Sequence, residues 1–144
     1  MVRELGAGVV GGLVATAAMS AVMLAGRRMG LMDDHPPKHI VRTLLPGSRH
    51  RPKPGEKTLG VLSHFGFGAA AGGVFAAAAR GHRTPAPVGA AYGLAVWLAG
   101  YQGWVPALGA LPPASRDDQG RQFVMAAAHV VYGTTLACTL NRLT

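Results

Sequence analysis

The sequence predicts an all-α membrane protein: a four-transmembrane-helix bundle built from two tandem helical hairpins, with a short interfacial amphipathic helix after the first span. Three observations predict it. Of the 144 residues, 49% are hydrophobic and only 14% are charged, far from the mixture of a soluble domain. The six acids, Glu4, Asp33, Asp34, Glu56, Asp117 and Asp118, fall in a few short patches and leave long uncharged runs. Within those runs small residues recur four apart, the spacing that lets helices approach closely in a bilayer.

The first span covers about residues 5–26, where no Asp, Glu, Lys or Arg interrupts the run. At ~1.5 Å per residue it can cross a hydrocarbon core of about 30 Å. It exceeds the ~7–15-residue apolar core of a signal peptide and ends at Arg27-Arg28, a stop-transfer flank, so no export cleavage is expected.

A basic interfacial segment, residues 27–57, follows. Asp33 or Asp34 can cap a helix entered through Pro36-Pro37, which gathers Ile40, Val41, Leu44 and Leu45 on one face. That helix is expected on the membrane surface. The stretch from Ser48 to Gly55, rich in Pro, Arg and Lys, is expected to be an extended linker near anionic lipid headgroups.

The second span is predicted at 58–79, again free of charge over its apolar run. Prolines at both ends of the uncharged stretch 84–115 place the third at about 87–105, followed by an irregular connector. The fourth runs from about 122 to 140. Together, residues 1–144 form a single integral membrane domain.

Four spans put both termini on one side, so the basic residues sort by face. Arg3, Arg80, Arg83 and Arg142 lie with the termini, whereas ten others, including Arg27, Arg28, Arg42, Lys57, Arg116 and Arg121, lie opposite. By the positive-inside rule the 27–57 and 106–121 loops are cytoplasmic and the termini extracytoplasmic. Trp97, Tyr101 and Trp104 then anchor the cytoplasmic interface. No aromatic-interleaved basic surface accompanies the charge of +8, so nucleic acid is not an expected partner. The single Cys138 permits no intrachain disulfide.

An internal echo carries the hairpin reading. The second span reads His64-Phe-Gly-Phe67-Gly68 with Gly72 four further on, and the fourth reads His129-Val-Val-Tyr132-Gly133 with Ala137 four further on. Upstream, Met29-Gly30-Leu31 leads to Pro36-Pro37 just as Leu108-Gly109-Ala110-Leu111 leads to Pro112-Pro113. A duplicated two-span unit keeps its orientation, so the copies are expected to be related by a pseudo-two-fold along the membrane normal.

That relation puts His64 and His129 at matching depths, roughly 9 and 10 Å in from the cytoplasmic side at ~1.5 Å per residue. Gly8, Gly12, Thr16 and Ser20 on the first helix, and Gly60, His64, Gly68 and Gly72 on the second, form ridges four residues apart, with Gly133 on the fourth. These ridges turn His64 into the bundle. An intramembrane histidine is costly enough to require an explanation. Hydrogen bonding to Ser20, Thr16 or a carbonyl would make it interhelical glue. Two imidazoles across a bundle also suit haem or a transition metal, and a proton or solute path is the third reading. Phe67 and Tyr132 are the aromatic neighbours. Met19, Met23 and Met125 read most simply as packing residues. Asp33, Asp34, His35 and His39 offer metal-type side chains close together, but the prolines break a ligating spacing.

The Gly- and Thr-rich first helix, the run from Tyr101 through Val105-Pro106 to Pro112-Pro113, and the final Ala-His129-x-x-Tyr132-Gly133 resemble small bacterial inner-membrane proteins of the YagU-like type. The resemblance implies the same multi-pass fold in a bacterial cytoplasmic membrane, with no catalytic residues to carry over. The sequence has no intramembrane carboxylate, no Ser-His-Asp set and no phosphate-cradling loop. The expectation is a non-enzymatic protein of structural or accessory type, packing through Gly, Ala and Ser ridges with itself or a larger complex. The alternative is a bundle that binds haem or a metal, or passes protons or a small solute, through His64 and His129.

Overall fold

The computed structural model describes residues 2–32, 36–47, 54–110 and 116–144, without the side chains of 36–39. Helices α1 (Val2–Arg28), α2 (Pro36–Leu44), α3 (Glu56–Ala79), α4 (Ala86–Leu98), α5 (Val105–Ala107) and α6 (Gln119–Leu143) follow in order, with no strand among the described residues. Three of them, α1, α3 and α6, are long and apolar enough to cross a membrane. Their outer faces carry Val10, Leu13, Val61, Leu62 and Val74 exposed, an apolar surface too extensive to sit in water.

Each long helix extends past its uncharged run because local chemistry continues the hydrogen-bond ladder. Asp118 caps α6, its carboxylate accepting from the Gly120 and Arg121 amides at 2.7 and 3.2 Å. At the end of α1 the Gly30 amide donates to the Arg27 carbonyl and the Leu31 amide to that of Gly26, with Gly30 at φ 72°. The same two bonds recur after α5, from Gly109 to Pro106 and from Ala110 to Val105, with Gly109 at φ 69°. Both are left-handed glycine caps of one type.

The third apolar segment departs from a plain helix. After α4 the chain widens into a π-helical stretch, Ala99–Trp104, that contains Gly103 at φ −102°, ψ −106° and runs on into α5. Prolines mark the outer limits of this segment, Pro85 before α4 and Pro106 within α5, but nothing in the apolar pattern announces the widening.

The packing order is α3, α1, α6, α4 around the bundle, with α2 laid against α3. The seams are built on glycine. A Cβ on Gly8 would meet the Gly72 carbonyl oxygen at 2.5 Å, and one on Gly12 would collide with the Gly68 carbonyl. On the other side, Cβ atoms on Gly89 and Gly133 would each run into the other residue's carbonyl. Between these pairs, α1 and α6 pack directly on each other, with Gly11 against Leu136 and Gly26 against Val124, while Ala15 and Ala128 are both fully buried. No comparable backbone seam joins α3 to α4. Side chains bridge them instead: Phe75 lies 4.8 Å from Tyr92 between ring centroids, and the Tyr92 hydroxyl donates to the Ala71 carbonyl at 2.7 Å.

Candidate functional site

Where α3 and α4 stand apart, a chamber of about 290 Å³ opens between the helices. Its floor is α1, which contributes Thr16, Met19 and Met23, and α6, which contributes Met125, His129 and Tyr132. One wall is α3, through Ser63, His64, Phe67 and Ala71. The opposite wall is the end of α4 and the π-helical stretch, through Trp97, Gly100, Tyr101 and Trp104. Each group arrives there by spacing: Met19 and Met23 stand one turn apart on α1, as Met125 and His129 do on α6. Around the irregular stretch, Trp97, Tyr101 and Trp104 line the cavity, and such breaks in a helix are frequent at functional sites.

Helix α2 closes one end. Ile40, Val41 and Leu44 line the chamber, so the apolar face expected to meet lipid is turned inward at these positions. Arg42 fixes that placement. Its guanidinium donates to both Glu56 oxygens, at 2.8 and 2.6 Å, and the Glu56 side chain is only 3% exposed. Such a paired, planar contact holds α2 on the first turn of α3.

The sequence-derived candidates distribute as follows. His64 and His129 line the same chamber, from α3 and α6. His129 Nδ1 lies 2.7 Å from the Met125 carbonyl. A carbonyl only accepts, so Nδ1 carries the proton and Nε2 of a neutral ring keeps its lone pair. The Thr16 hydroxyl donates to Gly12 at 2.7 Å and the Ser20 hydroxyl to Thr16 at 2.8 Å, both within α1. Tyr132 is buried, and its hydroxyl donates to the Gly68 carbonyl on α3 at 2.7 Å. Phe67 sits at the rim, half exposed, with its ring 6.2 Å from that of Trp104. Gly8, Gly12, Gly68, Gly72 and Gly133 are all buried inside the chain, in the two seams.

Asp33, Asp34 and His35 lie outside the described residues, as does the side chain of His39. Among the described residues no three His, Cys, Asp or Glu gather into a metal-sized group. The chamber is at the lower edge of the ~300–1,000 Å³ of drug-sized sites, which suits an ion or a small molecule better than a haem macrocycle. Sequence reasoning missed the Arg42–Glu56 pair, whereas it placed Trp97 and Tyr101 on one stripe: Trp97 is half-buried, its enclosed Nε1 donates to no described group, and its ring stacks on that of Tyr101 at 5.4 Å. The stacking had a signal in the Trp-x-x-x-Tyr spacing.

A family model described as a family of unknown function, DUF6789, matches residues 2–144. The chain belongs to that family. No curated protein and no solved structure matches it. Every residue that lines the chamber falls inside the DUF6789 match.

Proposed function

We propose that this chain is a four-span integral membrane protein of accessory, non-catalytic type that holds a small ligand in the chamber, with His129 and His64 as its polar contacts. One observation carries the reading: both intramembrane histidines, on different helices, line one cavity that the packing leaves unfilled. The glycine ridges support it from the other direction. They are consumed by the seams within the chain, which leaves them unavailable for association with a partner.

The fourth crossing is the segment 86–107, made of α4, the π-helical stretch with its kink at Gly103, and α5. Its caps and glycine contacts favour duplication: Gly30 matches Gly109, and Gly12 on Gly68 matches Gly89 on Gly133. The four-to-ten charge split favours cytoplasmic 27–57 and 106–121 loops. The resemblance to YagU-like proteins favours a bacterial inner membrane. Ligand reaches the chamber from the bilayer between α3 and α4, where only side chains close the gap.

The chain has two tryptophans, Trp97 and Trp104, and both line the chamber. Tryptophan fluorescence, excited at wavelengths that tyrosine does not absorb, therefore reports on residues of this cavity. Purified protein in mild detergent, titrated with 4-bromobenzyl alcohol as a small heavy-atom quencher, should show saturable quenching that Val96→Phe, at the chamber wall, weakens. Quenching that rises linearly without saturation, equally in both proteins, would overturn the reading.

A further inference from the structure

We propose that the chamber is a site for a soft monovalent cation, Cu(I), held by three or four donors drawn from the thioethers of Met19, Met23 and Met125 and the imidazoles of His129 and His64. The inference deepens the ligand-binding reading above and rests on it.

The donor set is the first ground. Three of the chain's six methionines line this one cavity, and all three are buried. They come as two helical pairs, Met19 with Met23 on α1 and Met125 with His129 on α6, and α1 and α6 pack directly on each other. His64 adds a fifth donor from α3.

Ligand orientation is the second. Bonding of His129 Nδ1 to the Met125 carbonyl fixes the ring and leaves Nε2 as a lone-pair donor, the arrangement by which a metal-binding histidine is usually held. Charge is the third. Among the described residues that line the chamber there is no carboxylate and no thiol, so every donor is neutral. Hard divalent ions call for anionic oxygen ligands, whereas thioether and imidazole select soft ions such as Cu(I). A single positive charge is also the least costly to hold where no counter-charge is present. The aromatic faces of Trp97, Tyr101 and Trp104 on the facing wall favour a cation further.

The test is Cu(I) retention by the full chain in mild detergent, under anaerobic conditions, against bicinchoninate as competing chelator. One equivalent should be retained, with sulfur and nitrogen both present in its X-ray absorption ligand shell. Met19→Leu combined with Met23→Leu keeps the volume of the packed side chains and should lower affinity by at least about tenfold, as should His129→Gln. Met29→Leu, at a solvent-exposed methionine outside the chamber, should leave it unchanged. No retained copper, or retention that the double leucine variant and His129→Gln leave intact, overturns the proposal. Saturable quenching by 4-bromobenzyl alcohol in the same preparations shows that the chamber is formed. Its persistence without copper binding sinks the cation and spares the ligand-binding reading, while loss of both sinks both.

Discussion

The Tyr132 hydroxyl on α6 donates to the Gly68 carbonyl on α3 at 2.7 Å, a bond that ties together two helices with no backbone seam between them. Gly68 is also the residue whose carbonyl the Gly12 Cα faces. The aromatic residue of one His-x-x-aromatic-Gly motif thus reaches the glycine of the other.

Removing that hydroxyl should be mild. Tyr132→Phe keeps the buried ring and loses one hydrogen bond, and such bonds in membrane proteins average about 0.6 kcal/mol. Unfolding of the detergent-solubilised protein by added sodium dodecyl sulfate should shift by about that amount. A loss above about 1.7 kcal/mol, the upper end for a single bond of this kind, would show that Tyr132 does more than tie α6 to α3.

The glycine seams should tolerate nothing larger. Gly12→Ala and Gly89→Ala place a methyl group into the facing carbonyl, on Gly68 and Gly133 respectively, and should cost about 1–3 kcal/mol by forcing the helices apart. Gly6→Ala meets nothing within 4 Å and should gain up to about 1 kcal/mol from helix propensity. The same detergent-unfolding assay separates them. Equal effects at Gly6 and Gly12 would refute close packing of α1 on α3.

Helix α2 should come loose when its ion pair is broken. Glu56→Gln removes the carboxylate that accepts from the Arg42 guanidinium, 12% exposed, a loss that costs up to about 3–5 kcal/mol for buried pairs. Amide exchange should accelerate over 40–45 while α1 and α6 stay protected. Unchanged exchange there would mean that apolar contacts of Ile40 and Val41 alone hold the helix down.

Orientation follows from charge. A reporter fused after Thr144 should report an extracytoplasmic C-terminus, since the loops facing away from it carry ten of the fourteen Lys and Arg residues. A cytoplasmic signal would invert the protein in the membrane and leave the helix packing as described.

Much of the bundle was legible because its signals are local and periodic. Gly8, Gly12, Gly68 and Gly72 recur four apart, and a helix turns that period into a single face on which a neighbouring backbone can rest. His64 and His129 were legible for the opposite reason, as polar groups in apolar runs. The chamber was not legible, because a cavity is what several faces fail to fill together. It depends on the widened turn at Ala99–Trp104, which no hydrophobic period encodes, and on Tyr92 spanning to Ala71. The Arg42–Glu56 pair, 14 residues apart across a proline-rich linker, likewise depends on where the linker returns the chain.

The unequal joints of the helix ring have a mechanical consequence. Three of its four sides are closely packed on glycine, and the fourth is held by two rings and a phenol hydroxyl. A closed ring with one compliant side deforms along a single coordinate, the spacing of α3 from α4. Movement of α3 relative to α4 would therefore change the bore of the cavity while the other three sides keep their packing.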